Sequence, residues 1–189
     1  MLIKMWKHFK LVNKHRWLVF IFAVKAGIPW RGMTHDLSKY SPIEFIESSK
    51  YYDGKASPYI GSRKSLGYSK AWLHHKAINK HHEDYWYDWN NSQRAAVMPY
   101  KYAVELICDT ISAGKVYLGD KWDNSKPLEY FNEKKIKEVF NPMTIDFLVN
   151  VYTQIRDEGI DKAINKKNLK EKYNKYCTGG NYFGITKVY

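Results

Sequence analysis

The chain has 189 residues and two cysteines, Cys108 and Cys177, which lie far apart and form no CxxC pair. This disfavours a disulfide framework and a thiolate zinc site and points to a reducing, cytoplasmic setting. Lys and Arg number 31 against 19 Asp and Glu, a formal charge of +12, so a polyanionic partner is expected: a phosphorylated small molecule, a nucleic acid or an anionic membrane surface.

From Leu2 to Ala26, apolar residues at Leu2, Trp6, Phe9, Val12, Leu18 and Phe22 recur at helical steps and predict a long amphipathic first helix. Its apolar run WLVFIFAV at 17–24 is far shorter than the roughly 20 residues that cross a bilayer, and AGIPWRG follows without a small-x-small cleavage pattern, so neither a transmembrane segment nor a signal peptide is expected. Gly27 and Pro29 end the helix, and Thr34 or Asp36 is the candidate N-cap of the next element. At 41–52, Ser41, Pro42 and Glu44 compose a capping box that opens a second helix. Residues 53–68, with three glycines, a proline and three serines, read as a loop. SKAWLHHKAINKHHEDYW at 69–86 contains no breaker and predicts a third helix. A turn within DWNNSQRAAVMPY leads to a fourth, 99–115, opened by Pro99 and closed by Gly114. YLGDKWDNSKPLEYFNEKK reads as an exposed excursion. A fifth helix, 141–159, has Asn141 as cap, Pro142 in its first turn and Gly159 past its end. Two parts are expected: a helical body over 1–160, and over 161–189 a basic helix and tail, packed on the body or extending from it, with the composition of a solvated helix, a last segment that is extended or loose, and no part in the metal site. With no repeat and almost no alternation of period two, the class is all-α.

The chemistry-bearing residues are histidines and carboxylates. His74, His75, His81 and His82 fall within nine residues. On one continuous helix His75, Asn79 and His82 share a stripe, but residues seven apart stand ~10.5 Å apart along the axis, too far to hold one ion between them. They would serve two neighbouring ions, or one ion and a phosphate. A solvated polar face beside Lys76, Lys80, Glu83 and Asp84 is the plainer alternative. Asp109 stands in the otherwise apolar AVELICDTI and needs a cation if buried, from a metal or from a basic side chain. His15 interrupts the first helix, and His35-Asp36 sits at a helix entrance in THDLSKY.

The order His15, His35-Asp36, later histidines, Asp109, all on helices, resembles the HD superfamily of metal-dependent phosphohydrolases, and HDLSKYSP is similar to the HDxGK…P segment of its phosphodiesterases. The resemblance implies an HD-like helical bundle in which His15, His35, Asp36 and Asp109 hold a first metal and Lys39 meets the reacting phosphate. His75 with His82 or His81 would supply ligands of a second metal. Two departures stand out: the histidines are compressed into one helix, and no GYP-like element follows. The blocks HDLSK…EF, WLHH…N.HH..YW and MP…E…D…AG, at 35–45, 72–86 and 98–114, also resemble an uncharacterised family of small bacterial and phage proteins over roughly residues 8–155.

Imidazole and carboxylate donors suit Mn, Fe, Zn, Co or Ni, as one or two ions, which at neutral pH supply hydroxide from water. The expected catalytic residues are therefore Asp36 and Lys39; the expected metal ligands are His15, His35, Asp36, His75, His82 and Asp109. Lys39, Asn79 and His81 are expected to contact substrate, with His81 at the rim. Trp72, Trp86 and Trp89 read as core more readily than as a stacking platform. Hydrolysis of a nucleotide or related phosphorylated small molecule is the leading expectation. A non-catalytic scaffold that binds nucleic acid or sequesters a nucleotide remains the alternative.

Overall fold

A computed structural model describes residues 1–90, 95–133 and 139–178. The described residues form helices joined by turns and loops, without a strand; a lone bridge joins Tyr87 to Ala95. The helices are α1 (Leu2–Lys25), α2 (Pro29–Thr34), α3 (Pro42–Tyr51), α4 (Pro58–Leu66), α5 (Lys70–Ile78), α6 (Tyr100–Leu118), α7 (Lys126–Glu133), α8 (Pro142–Glu158), α9 (Ile160–Ala163) and α10 (Lys166–Cys177). Short 3-10 turns cover Leu37–Tyr40, Glu83–Trp86 and Gly119–Lys121.

Local chemistry explains most boundaries. Ser41 Oγ accepts the Glu44 amide at 3.4 Å, and Asn141 Oδ1 accepts that of Met143 at 2.9 Å; each is followed by a proline at the first helical position, where the missing N–H costs nothing. The capping box is only half made, because the Glu44 carboxylate turns instead to two histidines. Neither Thr34 nor Asp36 caps with its side chain: Thr34 Oγ1 donates back to the Trp30 carbonyl, and Asp36 precedes the 37–40 turn without a capping bond.

Four readings of the sequence are corrected. The presumed loop 53–68 contains α4, punctuated by Pro58 at its start and by Gly67 in the left-handed region (φ +79°) at its end. Gly114 does not close α6, which runs on to Leu118; the glycine lies inside the helix because the Trp122 indole packs there, and a Cβ would stand 2.8 Å from Nε1. The excursion after α6 contains α7, whose Phe131 is buried. The helix read over 69–86 stops at Ile78, with consequences described below.

The core is built where α1, α6, α8 and α10 meet: Val19 and Phe22, then Val104, Ile107 and Ile111, then Phe147, Val151 and Ile155, then Leu169. The segment leading into α6 ties the layers, since the Met98 amide donates to Thr144 Oγ1 at 3.1 Å and its carbonyl accepts from Tyr173 at 2.8 Å. The helix beyond Gly159 is thus packed on the body, the first of the two expected arrangements, and it contributes to the core. Ala163, Ile164, Leu169 and Cys177 are buried with the rest, while the lysines of α10 cover the outer face. The tail 179–189, read as extended or loose, and residues 91–94 of the segment in which a turn was expected lie outside the described residues. Leu169→Ala should cost about 2–5 kcal/mol through the cavity it leaves, read as a lower urea midpoint with an unchanged slope. Truncation after Gly159 should destabilise the whole body.

α1 also differs from its reading. The buried stripe is His8, Val12, His15, Val19, Phe22 and Ala23, whereas Leu2 and Trp6 face outward. α3, α4 and α5 pack together over the first half of α1 and bring the 35–40 and 75–82 segments against α6.

Candidate metal centre

Asp36 is the only non-glycine described residue with positive φ (φ 53°, ψ 29°). This left-handed step after α2 turns the chain so that His35 and Asp36 both point inward, each essentially unexposed. Aspartate tolerates this conformation better than most residues. Arg16 braces the turn, its Nε donating to the His35 carbonyl at 2.7 Å and its Nη2 to that of Met33 at 2.9 Å.

Around this turn the structure gathers the first predicted set. His15 Nε2 lies 3.3 Å from His35 Nε2, 3.1 Å from Asp109 Oδ1 and 4.0 Å from Asp36 Oδ2. His35 Nε2 in turn lies 3.2 Å from Asp36 Oδ2 and 3.6 Å from Asp109 Oδ1. Nitrogen and oxygen donors at about 2.1 Å from a common ion stand about 3.0–3.4 Å apart, close to these separations.

The other Asp36 oxygen, Oδ1, is buried without a hydrogen bond and faces His75 Nε2 at 3.5 Å and His81 Nε2 at 3.6 Å. His75, His81 and His82 offer ring nitrogens within 4.8 Å of one another, and Asp109 Oδ2 is 3.8 Å from His81 Nε2. Nε2 of His81 and Nε2 of His82 are buried without a hydrogen bond, while His81 Nδ1 faces Glu105 Oε1 at 3.4 Å. An unsatisfied buried polar atom costs about 1–3 kcal/mol, so several of them converging on one spot fit a cation better than a vacuum. The donor set as a whole therefore fits a divalent ion, with Asp36 and Asp109 facing two adjacent positions.

The ends of the histidines away from the centre are fixed by carboxylates that the sequence reading missed. His35 Nδ1 donates to Glu105 Oε1 at 3.0 Å, and His75 Nδ1 donates to Glu44 Oε2 at 2.8 Å. Both rings consequently present Nε2 to the site. Glu105 is held from behind by Arg31, 2.6 Å and 2.7 Å away through Nη2 and Nε. Its signal was the one that marked Asp109: it is a second carboxylate in an apolar helix, four residues earlier. Glu44 gave no such signal, because the capping pattern already accounted for it.

Placement differs for two predicted residues. Because α5 ends at Ile78, His81 and His82 do not continue the helical stripe. The chain turns back, the His75 and His82 rings come within 4.9 Å, and His81 lies fully buried between Asp36 and Glu105 instead of at a rim. Asn79 caps the break, its Nδ2 donating to Ser38 Oγ at 2.8 Å and to the His75 carbonyl at 2.9 Å. His74 points away and pairs with Glu44 at 2.7 Å. Lys39 Nζ stands 2.6 Å from Asp36 Oδ2. Of the three tryptophans, Trp72 meets the His82 ring edge-on and lies tilted against the His75 ring, Trp86 borders the core, and Trp89 is exposed.

Electrostatics follow the geometry. Burial opposes charge on Asp36 and Asp109, but His35 and Lys39 beside the first and hydrogen bonds from His15 and His35 to the second hold both well below the usual carboxylate range. Burial likewise opposes charge on Glu105, yet its bonds to His35 and His81 keep it at about 2. Burial lowers His15, with Lys39 adding to it, and burial followed by His81 and His75 lowers His82 further. Burial opposes charge on His35, but the Asp36 charge and the bonds to Asp109, Asp36 and Glu105 raise it well above the usual imidazole value, so the site contains ionised carboxylates, imidazoles at His15 and His82 that stay neutral, and one at His35 whose proton a bound cation would displace.

The centre forms one end of a cavity of about 400 Å³ whose remaining walls are largely apolar and aromatic, among them His8, Tyr59, Trp72, Tyr117 and Trp122. His8 is buried two turns along α1 from His15, and its Nδ1 has no partner. Burial, then the charge of Lys39, lowers its pKa to about 4 from 6.5. A histidine whose folded pKa lies below its unfolded one contributes stability above pH 6.5 that is lost as pH falls toward 4, in total up to about 3 kcal/mol. His8→Phe should flatten that part of the stability-against-pH curve, measured by urea unfolding at a series of pH values.

No curated protein and no solved structure matches the chain. A family of unknown function, DUF5662, matches residues 4–154, a span that contains every residue of the centre, and the chain belongs to that family.

Proposed function

We propose that the protein is a metal-dependent phosphohydrolase. The observation that carries this reading is Asp36: one buried carboxylate faces the His15/His35/Asp109 set with Oδ2 and the His75/His81 pair with unpaired Oδ1, in the wall of a ligand-sized cavity. The order of these residues also resembles that of HD phosphohydrolases. One or two divalent ions held there would supply a hydroxide at neutral pH and an electrophile for a phosphoryl oxygen.

The chain's own residues provide the rest. Asp36 and Asp109 hold negative charge where a cation is needed. Glu105 and Glu44 keep His35 and His75 in the tautomer that presents Nε2. Lys39, which lines the cavity, neutralises charge gathering on a non-bridging phosphoryl oxygen. The apolar walls exclude water and suit the uncharged body of an ester better than a polyphosphate chain, which would need more cations than Lys39 and Lys126 provide.

The test is metal analysis of the purified protein for Mn, Fe, Co, Ni and Zn, followed by turnover on phosphomonoesters and phosphodiesters after loading with each ion. Nucleoside monophosphates and aryl phosphates should be hydrolysed in preference to nucleoside triphosphates. Stoichiometric metal with no turnover on any ester would favour a nucleotide-binding scaffold, and absence of metal affinity would end both readings.

A further inference from the structure

A second feature lies on the opposite side of α1 from the metal centre and does not depend on the phosphohydrolase reading. A helix normally hides its one apolar stripe, but α1 has two. His8, Val12, His15, Val19 and Phe22 face the interior, while Leu2, Trp6, Phe9, Trp17 and Val24, at steps of four, three, eight and seven residues, follow the other side and remain open to solvent. Trp6 is 57% exposed and Trp17 62%. α2 runs alongside, its Gly32 seated against Phe20 and Ala23, and adds Met33 and Trp30, the latter 68% exposed. Large apolar side chains are occasionally exposed singly; a row of them along one face, here interrupted only by Asn13 and with Phe9 partly covered by Tyr40 and Phe45, marks a contact surface.

The charge beside the row identifies the partner. α1 contains no acidic residue, and Lys7, Lys10 and Lys14, which follow one flank of the row, are exposed and make no ion pair among the described residues. Lys10 Nζ lies 5.1 Å from the Trp6 ring centre, so cation and indole are presented together. Tryptophan bodies with lysine heads alongside match the boundary between acyl chains and headgroups, where indoles settle and lysines reach outward to phosphate. A second copy of the chain fits poorly, since apposing two such faces would bring lysine rows together on molecules that each carry +12. A nucleic-acid duplex gains nothing from exposed Leu2, Ile3 or Val24.

We infer that the outer face of α1, with Trp30 and Met33 of α2, is a docking surface for an anionic phospholipid bilayer, on which the protein lies without crossing it. Among the described residues no helix is long and apolar enough to cross a membrane, and the proposed contact requires none.

The full chain, loaded with metal or not, is centrifuged with vesicles of phosphatidylcholine alone and with vesicles containing about 30% phosphatidylserine, the anionic component being needed for lysine attraction. It should sediment with the anionic vesicles only, with a blue-shifted tryptophan emission, and be released as salt is raised. Trp6→Ser combined with Trp17→Ser, and separately Lys10→Glu combined with Lys14→Glu, should each weaken binding by about tenfold or more while melting temperature and metal content stay at wild-type values. Failure to sediment with anionic vesicles would overturn the proposal. So would concentration-dependent self-association, or binding to single-stranded oligonucleotide, that the same substitutions abolish in place of vesicle binding.

Discussion

The Asp36→Ala variant should purify with the helical content of the wild type but without bound metal, and its phosphoester turnover should fall by at least about 10²–10³, the scale of losing a principal electrostatic element of a site. The two oxygens of Asp36 approach donors on α1, on the 34–36 turn and on the 75–82 segment, so no other side chain can restore both halves. The loss also leaves Lys39 and the facing imidazoles without their shared counter-charge. Asp36→Asn separates chemistry from conformation: asparagine accepts the left-handed backbone and keeps the side chain's size, yet lacks the charge. Metal content by elemental analysis and melting temperature with and without added metal distinguish the cases. Full metal occupancy in Asp36→Asn would show that Asp36 is not a ligand.

Glu105→Ala is the second large effect, and it combines two. Its carboxylate is buried between Arg31 and His35, so removal strands a guanidinium and an imidazole, at a cost of about 3–5 kcal/mol. It also frees the His35 ring to rotate or change tautomer, which weakens metal affinity by about 10–100-fold. Glu105→Gln retains the shape and an acceptor for His35, so most of the stability should return while Arg31 still loses its charged partner. Urea unfolding in the presence of chelator isolates the stability component, and metal titration of the folded variants gives the affinity. Equal metal affinity in wild type and both variants would show that Glu105 is structural only.

Much of this centre was legible because charge in an apolar context is conspicuous. His15 within an amphipathic helix, Asp109 within AVELICDTI and the adjacent His35-Asp36 pair each demanded a partner, and the structure places them together. The histidine cluster was legible as unusual but not in its geometry. AINKHHEDYW contains neither glycine nor proline, so nothing local announces that α5 stops. The stop comes from Asn79, which gives its amide to Ser38 in the neighbouring turn, and from the imidazoles that the break delivers to buried carboxylates. Those interactions are tertiary and leave no periodic trace. Glu44 was hidden for a different reason, since a local pattern already explained its presence. The last helix misled through composition: its lysines are as exposed as expected, but Leu169 among them is wholly buried.

The left-handed backbone at Asp36 bears on how the gene can vary. A single-base change in an aspartate codon reaches asparagine, histidine, tyrosine, alanine, glycine, valine or glutamate. Only asparagine and glycine accept a positive φ without appreciable strain, and neither has a carboxylate. Glutamate keeps the charge but adds a methylene where the aspartate already fills its place. Position 36 can therefore lose its function in one mutational step but cannot exchange it for an equivalent, and relatives that drift there should be found with a silent centre rather than a rebuilt one.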